Sequence, residues 1–167
     1  RHTLLALAQH LRTPGALPLH TCAINLSGTS LGDDSLLKFI RTALTESGVA
    51  PALLCFEITE TSAISHLPNA VRLMKELQQL GCRFALDDFG AGASSFGYLK
   101  NLHVDLIKID GQFIRDLLED PLDDAAVRCF VDVARVVGVK TVAEFVDRAE
   151  ILARVREIGI DFAQGFL

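Results

Sequence analysis

Six short apolar runs in this chain each end in a polar or acidic residue: Asn25, Glu57, the pair Asp87–Asp88, Lys108, Glu144 and Gln164. Four of these runs follow a glycine that closes a helical pattern, at Gly48, Gly81, Gly138 and Gly159. This β/α alternation constrains the fold more than any other feature. Helix crossovers between strands build a parallel sheet, so every strand points the same way. In a (β/α) barrel the strand C-termini are where active sites form. Several carboxylates brought to one rim raise each other's pKa and cannot all stay ionised without cations. The pattern therefore points to a metal-dependent site.

The spacing predicts strands over 21–26, 53–59, 83–88, 104–110, 140–146 and 161–166. Their near-continuous apolar character suits a parallel sheet covered on both faces. Between them, apolar residues recur at helical spacing. The stripes are Leu36/Ile40/Leu44, Ala70/Leu73/Met74/Leu77/Leu80, Val127/Phe130/Val131/Ala134/Val137 and Ile151/Leu152/Val155/Ile158. Asp120–Pro121 reads as an N-cap followed by proline at the first helical position. Asp147-Arg-Ala-Glu150 reads as an Asp variant of a capping box, which makes Asp147 a helix N-cap. The chain opens on a helix-like segment, Leu4–Leu11. The whole, residues 1–167, reads as one domain without linker or low-complexity run. Six strands do not complete an eight-stranded barrel. The expectation is an α/β chain of the TIM barrel type, seen as about six of eight β/α units with the N-terminal part missing.

Composition removes several classes. Half the residues are apolar, which excludes a disordered chain. No apolar stretch nears the roughly 18–20 residues that span a bilayer. A net charge of −5 with scattered lysines and arginines argues against a DNA- or RNA-polymer surface. Cys22, Cys55, Cys82 and Cys129 form no C-x-x-C pair and read as buried free thiols of a reducing compartment. A cytoplasmic location follows as an expectation, with a membrane-anchored parent left open. The five histidines share no spacing and read as surface or loop residues.

Asp87–Asp88, followed by Phe89-Gly90-Ala91-Gly92, is the sharpest local signal. One aspartate could bridge two cations while its neighbour holds the second; the alternative is an Asp-rich turn. Glu57 lies inside an apolar strand, where an unpaired charge is costly, so a metal or Lys108 is the expected partner. Asn25 offers a hard amide oxygen suited to Mg²⁺, Mn²⁺ or Ca²⁺, or else simply starts a turn. Period-2 geometry sends Lys108 and Asp110 to the barrel interior and the isoleucines between them to the helix layer. Lys108 among carboxylates should stay protonated and could orient water or offset phosphate charge. Glu144 could be a metal ligand or proton acceptor, and Gln164 could bind water or substrate. Glu60 is expected to hold loop backbone or hydroxyls rather than metal.

Taken in order, Asn25-Leu26-Ser27, Glu57-Ile58-Thr59-Glu60, Asp87-Asp88-Phe89-Gly90, Lys108-Ile109-Asp110, Ala143-Glu144 and Gln164-Gly165-Phe166 resemble the EAL domain family of bacterial cyclic-di-GMP phosphodiesterases. The resemblance runs from about residue 20 to the end. It implies an EAL-variant barrel that hydrolyses cyclic-di-GMP to linear pGpG with two Mg²⁺ or Mn²⁺ ions, Ca²⁺ inhibiting. It also implies a homodimer, often with GGDEF or sensory domains in the same parent protein. By position, Asn25, Glu57, Asp87 and Asp88 would be metal ligands, with Asp87 bridging. Lys108 and Glu144 would position or activate the water, and Gln164 would support it. Glu60 would tether the loop after Asp88, running through Ala91-Gly92-Ala93-Ser94-Ser95, and Asp110 and Asp147 would support substrate or loop.

Three departures from the family pattern stand out. The glutamate of the Glu-Ala-Leu signature, a metal ligand, lies outside this chain, so the segment by itself is expected to be inactive. The family's Glu-Gly-Val-Glu stands here as Glu144-Phe145-Val146-Asp147. Ala91 and Ala93 occupy loop positions where larger or hydroxyl residues are common. Two other functions compete with hydrolysis: a degenerate EAL domain that binds cyclic-di-GMP as a receptor, and a metal-dependent barrel enzyme acting on another substrate.

Overall fold

The computed structural model describes residues 2–13, 17–92 and 95–166. Six strands form one sheet: β1 Cys22–Asn25, β2 Leu54–Thr59, β3 Arg83–Phe89, β4 Leu106–Ile109, β5 Lys140–Ala143 and β6 Phe162–Ala163. All neighbouring pairs are parallel, and the spatial order is the sequence order, β1 through β6. That order separates a barrel from a doubly wound sheet. An order that never reverses carries every right-handed crossover onto the same face. One face is therefore packed by helices and the other is the barrel interior.

The helices are α1 His2–Arg12, α2 Asp34–Ser47, α3 Glu60–Ser65, α4 Leu67–Gln78, α5 Gly111–Arg115, α6 Pro121–Val137 and α7 Ala149–Ile158. The expected stripes are buried through Ile40 and Leu44, Ala70 to Leu77, Val127 to Ala134, and Ile151 to Ile158. They pack on Phe56, Ile58, Phe84, Leu86, Ile107 and Ile109 of the outer sheet face. Val137 departs from its stripe and is 40% exposed, because α6 ends there and Gly138 turns the chain at φ +78°. Gly48 and Gly159 likewise stop α2 and α7 in the left-handed conformation that only glycine adopts freely. Asp120 caps α6 by accepting from the Leu122 amide, with Pro121 at the first position.

Several expectations need correction. The N-cap of α7 is Arg148, without a side-chain cap bond; the Asp147 carboxylate is 59% exposed and stands 3.7 Å from Arg148 Nε. The fifth strand ends at Ala143, not 146, because Phe145 adopts φ +54° and breaks the extended backbone. The sixth stops at Ala163, although Gln164 continues the ladder: its N–H donates to Ala143 and its carbonyl accepts from Val146. Two cysteines are not buried: Cys129 is exposed and Cys22 half-buried, whereas Cys55 and Cys82 are enclosed. Cys129 falls on the solvent face of α6, opposite the stripe. The short α3 and α5 and the 3-10 turns Gly28–Ser30, Pro51–Leu53 and Gly97–Lys100 leave no periodic signal in the sequence. His10, His20, His66 and His103 are exposed, as expected. Ala93 and Ser94 of the loop lie outside the described residues. Among the described residues, no helix is long and apolar enough to cross a membrane.

Candidate active site

Alternation along β4 places Lys108 on the interior face, opposite Val142 of β5. Two residues beyond Val142 lies Glu144, brought to the same face past the end of β5. Glu57 lies on β2 and Asp87 on β3 in the same interior row. Lys108 is 5% exposed, and its ammonium is the common partner of this ring. Nζ lies 2.8 Å from Asp87 Oδ1, 2.8 Å from Glu144 Oε1 and 3.3 Å from Glu57 Oε2. Burial by itself disfavours an ammonium, but the hydrogen bonds to Asp87 and Glu144 outweigh it and hold its pKa above the ordinary value. Lys108 is therefore charged throughout the physiological range. Burial pushes the Glu144 carboxyl up; Lys108 opposes this, and Asp87 and Asp88 add to the rise.

A regular strand would send Asp87 inward and Asp88 outward into the helix layer. The chain avoids this with a bulge. Leu86 pairs with Ile107 and Phe89 with Ile109, so three steps along β3 match two along β4. Asp88 absorbs the extra residue at φ +53°, a left-handed conformation that Asp tolerates better than most residues. Leu86 and Phe89 then both face the helices, and the two aspartates share the rim. Oxygens of Asp87, Asp88 and Glu144 lie within 4.8 Å of one another. The Asp88 carboxyl is raised by burial, then by Asp87 and Asp110, against Lys108.

This donor set fits a hard divalent cation. Three carboxylates converge, two of them pushed up by burial and by like charge, and all the donors are oxygens. Asn25 pairs in register with Glu57 and shares its interior face, which adds an amide oxygen on the neighbouring strand. Gln164 enters beside Ala143, one residue before Glu144. Gly165 permits that approach, since a Cβ there would overlap the Val146 backbone. Asp110 caps α5, accepting from the Gln112 amide at 2.8 Å, and its charge reaches Asp88. Asp147 stays outside the clustered carboxylates.

Behind the rim, Glu60 holds loop backbone and a hydroxyl, as expected, and the hydroxyl belongs to a residue that the motifs do not include. Glu60 opens α3 and is 1% exposed. Its Oε2 accepts from the Gly90 amide at 3.1 Å and the Gly92 amide at 3.3 Å, and its Oε1 accepts from the Tyr98 hydroxyl. Below, Phe89 packs on Phe96 and Phe130, and Phe113 meets Phe130 edge-on. Gly90 must be glycine: it holds φ +96°, and a Cβ would lie 2.6 Å from the Phe130 ring. The one signal for Tyr98 in the sequence is that it is the only tyrosine in the chain, placed nine residues after Phe89.

A family model described as "EAL domain" matches residues 1–167. The chain belongs to the EAL domain family. This EAL domain is 45% identical over 147 residues to cyclic di-GMP phosphodiesterase PdeB of Shewanella oneidensis, covering 88% of this chain and 17% of that protein. Among solved structures, the phosphodiesterase PaMucR in complex with c-di-GMP superposes with a TM-score of 0.89 at 30% identity, covering 98% of this chain and 66% of that one. The calcium/cyclic-di-GMP complex of Klebsiella pneumoniae BlrP1 superposes with a TM-score of 0.87 at 31% identity, covering 99% of this chain and 42% of that one. These neighbours establish the barrel type. The EAL domain spans 17% to 22% of the length of its first two curated relatives.

Proposed function

We propose that this EAL domain, within its full-length protein, hydrolyses cyclic-di-GMP to linear pGpG with two Mg²⁺ or Mn²⁺ ions. The observation that carries this reading is the meeting of Asp87, Asp88 and Glu144 with Lys108 at the strand C-termini. Asn25, Glu57, Asp87 and Asp88 would hold the metals. Bound there, the divalent pair would supply charge neutralisation for the phosphodiester and a water of lowered pKa. The chain's own residues do the rest. Lys108, held protonated, cannot act as a base; its Nζ offsets charge on the phosphate oxygens, a contribution of about 3–4 kcal/mol by analogy with single oxyanion donors. Glu144 Oε1, beside that ammonium, fixes its direction and accepts a proton from the attacking water. The Gln164 amide supports the same water. Ca²⁺ binds oxygen ligands with looser geometry and longer bonds than Mg²⁺, which supports inhibition rather than turnover. The enclosed free thiols Cys55 and Cys82 support a cytoplasmic location.

The test is cyclic-di-GMP turnover by the full-length protein with Mg²⁺ or Mn²⁺ and then with Ca²⁺. We expect hydrolysis with the first two and loss with the third. Asp87→Ala should abolish turnover, and wild-type rates from that variant would defeat the assignment. A second reading, a receptor that binds cyclic-di-GMP without cleaving it, is favoured by Asp147, which is turned out toward Arg148 and away from the clustered carboxylates. Calorimetric binding of the dinucleotide by wild type, with no pGpG formed under any divalent cation, would establish it.

A further inference from the structure

We propose that Tyr98 is a positioning residue for Asp88, acting through Glu60; the inference rests on the reading of Asp88 as a metal ligand. The backbone leaving Asp88 is an unstable arrangement by itself. Asp88 and Gly90 both hold left-handed dihedrals, φ +53° and +96°, on either side of Phe89. Such a path persists only where neighbours over-determine it. The Glu60 carboxylate is that neighbour: it takes the amides of Gly90 and Gly92 on one oxygen. Gly92 comes so close to α3 that a Cβ would lie 2.8 Å from Thr61 Oγ1.

Glu60 is itself in need of support. At 1% exposure, water cannot solvate its second oxygen. Among the described residues, the Tyr98 hydroxyl supplies the donor that Oε1 accepts. Burial and this contact raise the phenol's pKa, so Tyr98 remains a donor at any working pH. Tyr98 is well held for the task. It sits in the turn Gly97–Lys100, after Phe96, whose ring packs on Phe89 and on Phe130. One carboxylate thus ties the chain leaving Asp88 to the chain returning at Tyr98. Removing the hydroxyl orphans a buried carboxylate oxygen, and the amides of Gly90 and Gly92 lose a fixed acceptor. Asp88 then samples orientations away from the rim.

The experiment compares wild type with Tyr98→Phe in the full-length protein, using Mn²⁺ as the probe. Phe keeps the ring and its packing. We expect Mn²⁺ affinity, measured calorimetrically without substrate, to fall about tenfold, the loss typical when a partner that orients a metal ligand is removed. Amide exchange at Gly90 and Gly92 in metal-free protein should quicken. In a Glu60→Gln background, Tyr98→Phe should add little, since both act through one contact. Unchanged Mn²⁺ affinity in Tyr98→Phe, beside a wild type that binds Mn²⁺ and turns over, overturns this inference and leaves the proposed function standing. So does a Tyr98→Phe effect that is as large in the Glu60→Gln protein as in the wild type. A wild type that binds no Mn²⁺ removes both.

Discussion

Asp88 is held in a conformation that costs stability. Its φ of +53° costs a non-glycine residue on the order of 1 kcal/mol, and its charge faces Asp87. We expect Asp88→Gly to raise the metal-free melting temperature, by relaxing the dihedral and the repulsion, while divalent binding is lost. Calorimetric melts and Mn²⁺ titration check the two effects separately, and a lowered melting temperature would contradict the strain. Lys108 is the opposite case. It ion-pairs with three carboxylates in an enclosed setting. Lys108→Met should cost about 3–5 kcal/mol in chelator, since uncompensated buried charge remains. Under the proposed function the orphaned carboxylates would hold the cation, so added Mn²⁺ should recover much of that stability. An equal loss with and without Mn²⁺ would show that they do not form a cation site. That carboxylates gather at one rim was legible from the strand ends. The Glu57–Lys108 pair was expected too, but that the same ammonium reaches Asp87 and Glu144 was not, because those contacts join separate strands.

At the scale of elements, β3 and β6 depend on local devices of different legibility. The Gly90 turn after β3 was visible as a Phe-Gly-Ala-Gly run, but the bulge before it was not, because the extra residue exists only relative to β4. Gly90→Ala should destabilise by about 2 kcal/mol or more, combining a left-handed dihedral with a clash on Phe130; urea unfolding measures it. At the entry to β6, Asp161 accepts from Lys140 Nζ and from the amide and hydroxyl of Thr141. Burial pushes its carboxyl up, yet the bonds to Lys140 and Thr141 win and hold it below the ordinary value. A depressed carboxyl contributes stability that is present above its unfolded value of about 3.9 and lost as pH falls through the lower folded value. Asp161→Ala should therefore cost about 1–3 kcal/mol near neutrality and approach nothing in strong acid. A pH series of unfolding curves decides it. The helix stops at Gly48, Gly138 and Gly159 and the cap at Asp120 were readable because each depends on one residue's chemistry. The α7 cap was not, because Asp147 and Arg148 compete for one position, and neighbours settle it.

For the whole molecule, sequential strand order gives the sheet one interior row, covered at the middle strands and open at β1 and β6. Cys55 lies on that row, between Ala23 and Arg83 in register, and is 1% exposed. Burial pushes its thiol up to about 11, and does the same for Cys82. We expect iodoacetamide at pH 8 to modify the exposed Cys129 first, Cys22 more slowly, and Cys55 and Cys82 only on unfolding. Peptide mass spectrometry of timed samples reads the order. Early labelling of Cys55 would mean that the row is open to solvent.

Periodicity, glycine stops and capping chemistry are properties of adjacent residues. The number of strands, their parallel direction and the helix stops therefore followed from the sequence by itself. The tertiary structure decided the spatial order of the strands, where β5 and β6 end, and the contacts beyond the expected Glu57–Lys108 pair: Asp88 turned beside Asp87 by a register shift, Asp87 and Glu144 drawn to the same ammonium, and Glu60 closed over by Tyr98. Those outcomes depend on pairing and burial between segments distant in the chain, which local pattern does not encode.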